Sequence, residues 1–179
     1  MKMLAGSHLV FGSGLYLLAS PALGMDFPQV YAYLPLVLLG ALAPDVDARR
    51  SRLKRWLWLR ALLWPLTLLG HRTWTHSLWI LLLLSSPLLS LPPGLGYHAL
   101  LAFSFGYGSH ILADWMTHRG VPLFYPLKTA FKSPLSFRTG SWLELPVAMI
   151  PFGFMAGLYL SDTPFDLLQW LILFLEEAV

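Results

Sequence analysis

Residues 95–116, LGYHALLAFSFGYGSHILADWM, decide the fold. They contain no Asp, Glu, Lys or Arg from 95 to 113, and a helix that crosses a bilayer needs about 17 to 25 mostly apolar residues. Similar uncharged runs cover 27–44, 74–91 and 145–161. Four such buried helices would be rare in a small soluble protein, so the sequence predicts membrane-spanning helices.

Composition supports this interpretation and limits the chemistry. Of the 179 residues, 56% are hydrophobic and 12% are charged, whereas about 25% are charged in an average soluble domain. The chain has no cysteine, so any metal site must use His, Asp and Glu. The net charge of +3 comes without a basic face interleaved with aromatics, which argues against a nucleic-acid partner.

The predicted fold is all-α, with residues 1–179 forming one polytopic transmembrane helix bundle of about five to six spans. Five predicted spans cover 3–23, 28–42, 75–91, 95–116 and 142–160. The apolar segment 164–175 either crosses as a sixth span or lies on the surface. Residues 3–23 also resemble a signal peptide, but we favour a retained span because four more follow.

The apolar segment 56–70 is treated separately. It is short, carries Arg60 and contains Pro65, so an interfacial or re-entrant helix fits it better than a full span.

The basic residues predict the topology. With this set of spans, segments 1–3, 44–74 and 114–142 lie on one face of the membrane and hold every Lys and Arg of the chain. By the positive-inside rule, that face is cytoplasmic, which predicts a multi-pass protein of the cell inner membrane. The residues are Lys2, Arg49, Arg50, Arg52, Lys54, Arg55, Arg60, Arg72, Arg119, Lys128, Lys132 and Arg138.

Eight ionisable residues fall at the same face, at or near the ends of the predicted spans. Ionisable side chains are expensive in a membrane and usually serve function, so their convergence predicts a functional site at the cytoplasmic face. They are His8, Asp45, Asp47, His71, His76, His110, Asp114 and Glu144.

Local spacing suggests how some of these residues act. His110 and Asp114 are four residues apart, which places them on one helical stripe where they can share a metal or simply hydrogen-bond at a helix end. His76 falls behind Thr75, a plausible helix cap, and the helix dipole there favours a neutral imidazole.

The remaining candidates leave alternatives open. Asp45 and Asp47 can point into one site if their backbone is extended, or they can form a salt-bridge cluster with nearby cations. His71 and His76 are five residues apart, so on a regular helix their side chains would point in different directions. One is expected to bind the metal, and the other to support a ligand from outside the coordination shell or to face the substrate. Arg72 can pair with a phosphate or serve as a topology anchor.

Two further histidines are weaker candidates. We interpret His98, near the far end of its span, as a core or interface residue. His118 is either a further ligand or a surface histidine.

Several segments together resemble the signature of the YdjM-like membrane-bound metal-dependent hydrolases, inner-membrane proteins of which some are regulated by LexA. The resemblance covers about residues 5 to 150 and includes Thr117, 120–123, 139–140 and Glu144. Its main segments are GSHL at 6–9, APDVD at 43–47, GHR at 70–72, THSL at 75–78 and GYGSHILAD at 106–114.

A more distant similarity links the chain to zinc-dependent phospholipases C and single-strand nucleases. In this chain, as in those enzymes, an early His is followed by an Asp, a middle His and a His-x-x-x-Asp pair. Only His118 and Glu144 correspond to the later ligands of those enzymes, at different spacing, so the resemblance implies one or two metal ions rather than three.

We therefore expect a metal-dependent phosphoester hydrolase that holds Zn²⁺ or a similar divalent ion. Membrane lipids are the expected partners, with a phospholipid or isoprenoid phosphate as substrate. A metal-ion carrier and a metal-stabilised scaffold are the alternatives. The expected metal ligands are His8, Asp45, Asp47, His71, His110 and Asp114, and the expected catalytic residues are Asp45, Asp47, Arg72, His76 and Glu144.

Overall fold

The computed structural model describes residues 4–47, 74–127 and 129–160. Within these ranges the protein is all-helical and forms no strand, as predicted; two isolated β-bridges occur in the loop after residue 116. The helices are α1 (Ala5–Ala19), α2 (Phe27–Leu42), α3 (Leu78–Ser85), α4 (Leu95–Trp115) and α5 (Glu144–Leu160).

Four of these helices coincide closely with predicted spans, whereas α3 covers only part of one. Among the described residues, none of the helices has both the length and the apolar character that a membrane crossing requires. The number of spans and the polytopic architecture therefore stay predictions. The predicted helix at 56–70 and the segment 164–175 lie outside the described residues.

The region around α3 differs from the single helix predicted for 75–91. Trp74–His76 form a short 3₁₀ turn, and α3 begins only at Leu78. The cap is Ser77, whose Oγ accepts a hydrogen bond from the Trp79 N–H at 3.1 Å, so the prediction of Thr75 as the cap was wrong. A second 3₁₀ turn, Ser86–Leu89, follows α3. Pro87 in this turn has no N–H to continue the α-helical pattern.

The end of α2 also differs from expectation. The helix ends just before Pro44, as predicted, but the chain continues as a 3₁₀ turn over Ala43–Asp47. The extended backbone on which a shared orientation of Asp45 and Asp47 depended is therefore absent. Asp45 comes instead from a helical turn that prolongs the direction of α2.

Helices α2 and α4 form the most extensive helix pair among the described residues. Two glycines allow their backbones to touch: a Cβ atom at Gly40 would lie 2.1 Å from the Phe103 carbonyl oxygen, and one at Gly106 would lie 2.0 Å from that of Val37. Close approach through small residues is typical of helix pairs in membranes. The crossing fixes the end of α2 against the last turns of α4.

Helix α1 completes the bundle. Phe11 of α1 packs with Ala113 of α4, Ala148 of α5 and Phe137 of the intervening loop in one buried cluster. Tyr16, further along α1, packs with Val37 of α2 and Ala102 of α4 in a second cluster. The first turns of α1 therefore lie beside the end of α4 that carries His110 and Asp114.

The glycine crossing can be tested with Gly106→Ala. The new methyl group overlaps the Val37 carbonyl oxygen, and overpacking of this kind costs about 1–3 kcal/mol. We expect a clear decrease in the thermal unfolding midpoint of the detergent-purified protein. Gly96→Ala, on the same helix, has no atom within 4 Å of its new Cβ and should leave the midpoint unchanged or raise it. Equal midpoints for the two variants would contradict the close contact.

Candidate metal centre

His110 and Asp114 lie on one stripe of α4, as their spacing predicted. Both side chains are about 1% exposed, and His110 Nε2 lies 3.8 Å from Asp114 Oδ2. This distance is too long for a direct hydrogen bond. The pair therefore leaves room for another atom between its two polar ends.

The end of α2 fixes the protonation of His110. The Nδ1 atom of His110 lies 2.6 Å from the Ala41 carbonyl oxygen, and because a carbonyl can only accept, Nδ1–H is the donor. In the neutral ring the Nε2 atom then carries a lone pair. A metal-binding histidine is usually oriented in this way, through a hydrogen bond from its other ring nitrogen to a carbonyl.

The lone pair of His110 faces two carboxylates. Besides Asp114, the Nε2 atom lies 4.0 Å from Asp45 Oδ1, and it makes no hydrogen bond within the part of the chain that the structure describes. A buried lone pair opposite negative oxygens is unfavourable unless a proton or a cation lies between them. This position therefore suits a cation.

His76 reaches the same point from the 3₁₀ turn before α3. Its Nε2 atom lies 3.5 Å from Asp114 Oδ2 and 3.7 Å from Asp45 Oδ1, and its side chain is fully buried. The Thr75 hydroxyl lies 3.1 Å from the other ring nitrogen. The Tyr107 hydroxyl donates a short hydrogen bond to the Thr75 carbonyl, which ties this turn to α4.

Four donor atoms thus form a ring: Asp45 Oδ1, His76 Nε2, Asp114 Oδ2 and His110 Nε2. Neighbouring atoms around it are 3.5–4.0 Å apart. Ligands about 2.0–2.2 Å from a tetrahedral zinc ion are separated by about 3.3–3.6 Å. The four neighbouring separations equal that spacing or exceed it by a few tenths of an ångström.

His8 adds a fifth donor on the other side of Asp114. Its ring stacks on that of His110, with centroids 3.8 Å apart and planes inclined by 9°. The Nε2 atom of His8 lies 3.7 Å from Asp114 Oδ1, the carboxylate oxygen that is not in the ring. His8, His110 and Asp114 form a second group with metal-ligand spacing. Because His110 offers one lone pair, it can serve only one of the two groups at a time.

Glu144, at the start of α5, is buried, and its carboxylate accepts hydrogen bonds from groups outside the donor ring. Its Oε1 atom accepts from the Leu4 N–H at 2.5 Å and from the Ser7 hydroxyl at 2.8 Å. Its Oε2 atom accepts from the Gly140 N–H at 2.5 Å. These bonds hold the beginning of α1, and hence His8, against the loop before α5. The catalytic role of Glu144 stays a prediction.

The structure therefore brings five of the predicted site residues together. His71 was predicted as a metal ligand and His76 as a catalytic residue, whereas the geometry places His76 Nε2 among the donors. His71 and Arg72 lie outside the described residues. Asp47 lies in the 3₁₀ turn after α2, and its side chain is outside the described part. The five residues are His8, Asp45, His76, His110 and Asp114.

Two other histidines lie elsewhere. His98 packs between the rings of Tyr33 and Tyr97, with centroid distances of 5.8 and 5.5 Å. His118 is exposed, and its Nδ1 atom lies 2.9 Å from the Ser136 hydroxyl. Neither belongs to a group with metal-ligand spacing among the described residues.

These features define a class: a helical protein with a buried histidine and aspartate cluster at one end of its bundle. The YdjM inner membrane protein family model matches residues 3–175. The chain belongs to this family, which confirms the resemblance to YdjM-like proteins drawn from the sequence motifs. Metal-dependent hydrolysis, which the resemblance also implied, stays a prediction.

Individual relatives agree with this assignment. The chain is 34% identical over 162 residues to "Inner membrane protein YdjM" of Escherichia coli (strain K12). The matched region covers 84% of this chain and 80% of the relative. It is 30% identical over 124 residues to "Uncharacterized protein YvsG" of Bacillus subtilis (strain 168), covering 69% and 71%. No solved structure matches the chain significantly.

The role of Glu144 in holding α1 predicts the effect of Glu144→Gln. The amide nitrogen that replaces one carboxylate oxygen cannot accept from a backbone N–H, so the Leu4 or the Gly140 N–H loses its hydrogen bond to a charged group, which is worth about 1.5–3 kcal/mol. We expect a lower thermal unfolding midpoint. Ser13→Ala removes a hydroxyl that bonds only within α1 and should change the midpoint little. A Glu144→Gln midpoint equal to that of the wild type would contradict this role.

Proposed function

We propose that this protein is a metal-dependent hydrolase of the inner membrane. The observation that carries the proposal is the buried ring of two imidazole nitrogens and two carboxylate oxygens, in which His110 Nε2 is aimed at both Asp45 and Asp114. The inner-membrane location is supported by the printed names of the family and of the Escherichia coli relative.

The donor set suits a divalent ion of the zinc type. Imidazole and carboxylate are common zinc ligands, and three protein ligands with one open position are typical of catalytic zinc sites. His76, His110 and Asp114 would hold the first ion, and Asp45 would lie beside its open position. His8 and the second oxygen of Asp114 extend the donor set, so one or two ions fit these residues.

A bound divalent ion supplies Lewis acidity, which polarises a phosphoryl oxygen and activates water. Asp45 is the most accessible of the five residues, with 21% of its side chain exposed, and we assign it as the base. Water attacks the phosphorus atom while its proton passes to the Asp45 carboxylate. The bond from phosphorus to the ester oxygen then breaks, and the proton is returned to the leaving alcohol.

A phosphoester lipid is the proposed substrate, with a phospholipid or an isoprenoid phosphate as the two classes to test. The location in a membrane and the predicted position of the site at the bilayer edge support it. The one-sided distribution of Lys and Arg supports a multi-pass topology with the site facing the cytoplasm. The proposed contributions of His71, Asp47 and Arg72 to ligation and substrate binding rest on the sequence.

Metal content tests the first part of this proposal. Wild-type protein purified without chelator should carry near-stoichiometric zinc or another divalent ion, measured by mass spectrometry of the metals. His110→Ala and Asp114→Asn should lose most of it, because each removes a donor of the ring, and both residues also belong to the group that includes His8. His98→Ala, a change on the same helix away from the cluster, should retain it. Unchanged metal content in both cluster variants would contradict the assignment.

Turnover tests the second part. Metal-loaded protein incubated with phospholipids or isoprenoid phosphates should release head groups, detected by mass spectrometry. Loss of a general base typically lowers a rate by about 10²–10⁴-fold, so Asp45→Asn should be strongly impaired, whereas His118→Gln in the exposed loop should remain active. If metal-loaded wild type releases no product from either substrate class, the hydrolase proposal fails, and structural or transport roles for the metal become the better account.

A further inference from the structure

A cluster of exposed and half-buried aromatic rings lies beside the candidate metal centre. Tyr125 and Trp74 have ring centroids 5.3 Å apart, Phe124 and Phe131 are also 5.3 Å apart, and Phe124 lies 6.3 Å from Trp79. We refer to these five residues as the aromatic surface. Trp74 begins the 3₁₀ turn that ends at His76, so the surface adjoins the donor ring.

Four of the five rings of the aromatic surface are exposed. Trp79 is 51% exposed, and the neighbouring loop adds Leu127 at 63% and Leu135 at 86%. Single exposed apolar residues are ordinary, but a contiguous apolar patch marks an interaction surface. None of these side chains contributes a donor to the cluster, so the proposed hydrolysis leaves the patch unexplained.

Backbone hydrogen bonds give the loop a defined conformation. Val121 and Phe131 exchange two backbone hydrogen bonds of 2.8 Å, and the Leu78 N–H donates to the Leu123 carbonyl at 2.8 Å. Gly120 has a φ of +64°, and a Cβ atom there would lie 2.3 Å from the Phe131 carbonyl oxygen. The aromatic surface is therefore presented by a folded loop that is joined to the start of α3.

The charge around the aromatic surface has one sign. Residues 116–143 contain four basic residues and no Asp or Glu. Arg119, Lys132 and Arg138 of this loop are exposed. Aromatic side chains are enriched at the level of lipid head groups, and basic residues there are attracted to anionic lipids. An acid-free loop that presents both kinds of side chain is complementary to the surface of an anionic bilayer.

We propose that the aromatic surface, with Leu127 and Leu135, lies in the head-group layer of an anionic bilayer and holds the metal centre at that level. The inference rests on the membrane location in the proposed function and is independent of hydrolysis. The occupant is the lipid surface itself. A protein partner or a second copy of the chain on this surface is an outcome that the test distinguishes.

Because the chain has no cysteine, an introduced cysteine is labelled at a single known site. Leu135→Cys is labelled with an environment-sensitive fluorophore, and the full-length protein is placed in nanodiscs of phosphatidylcholine alone or mixed with phosphatidylglycerol. Quenching by brominated acyl chains and by aqueous iodide is then measured. The matched control is Ala22→Cys, in the exposed turn between α1 and α2, where residues 20–26 contain no basic residue.

We expect the Leu135 probe to show blue-shifted emission, strong quenching by brominated lipid and weak quenching by iodide. Phosphatidylglycerol should strengthen this pattern, and the combined changes Lys132→Gln and Arg138→Gln should abolish that gain. The Ala22 probe should not respond to phosphatidylglycerol. Metal content of Leu135→Cys should equal that of wild type, so failure here is distinguishable from failure of the metal centre.

Three results would overturn the proposal. Free access of iodide to the Leu135 probe in both lipid mixtures would place the loop in water. Protection from iodide without quenching by brominated lipid would mean that protein covers the surface. Equal quenching by brominated lipid with and without phosphatidylglycerol would contradict the role assigned to the basic residues.

Discussion

The close crossing of α2 and α4 is the constraint on which the candidate site depends. Without side chains at Gly40 and Gly106, the two backbones approach to direct contact. This approach brings the Ala41 carbonyl within hydrogen-bonding distance of His110 Nδ1. The same crossing places the 3₁₀ turn after α2, which carries Asp45, opposite Asp114. A helix crossing that two glycines permit thus sets both the tautomer of one histidine and the position of a carboxylate.

The cluster that results gathers metal-ligand groups at separations that leave room for an ion. Two carboxylates and three imidazoles approach one another with almost no exposure, except at Asp45. The paired distances of 3.5–4.0 Å exceed those of direct hydrogen bonds. A cation between the donors would satisfy the lone pair of His110 and neutralise the carboxylates together.

The sequence predicted much of this arrangement because its signals are local. The uncharged runs located α1, α2, α4 and α5, and the i, i+4 spacing placed His110 and Asp114 on one stripe. The convergence of ionisable residues at one end of the predicted bundle was sufficient to bring His8 and Asp45 into the same site.

The features that sequence reasoning missed depend on tertiary contacts or on backbone atoms. No side-chain pattern reveals that the Ala41 carbonyl accepts from His110. The capping of α3 by Ser77 rather than Thr75, and the 3₁₀ turn at Asp45, were missed because capping residues compete locally and packing decides between them. Glu144 was predicted to be catalytic from its position and a family resemblance, and its bonds to Leu4, Ser7 and Gly140 became visible only in three dimensions.

The central claim is that a divalent ion occupies the ring formed by Asp45, His76, His110 and Asp114. X-ray absorption at the metal edge of the purified protein tests it most directly, because the spectrum reports the atoms bound to the ion. The account predicts a first shell of nitrogen and oxygen at about 2.0–2.2 Å, with the outer-shell scattering of imidazole rings and no sulfur. A shell of oxygen alone, without imidazole scattering, would show that any metal present is bound elsewhere and would contradict the account.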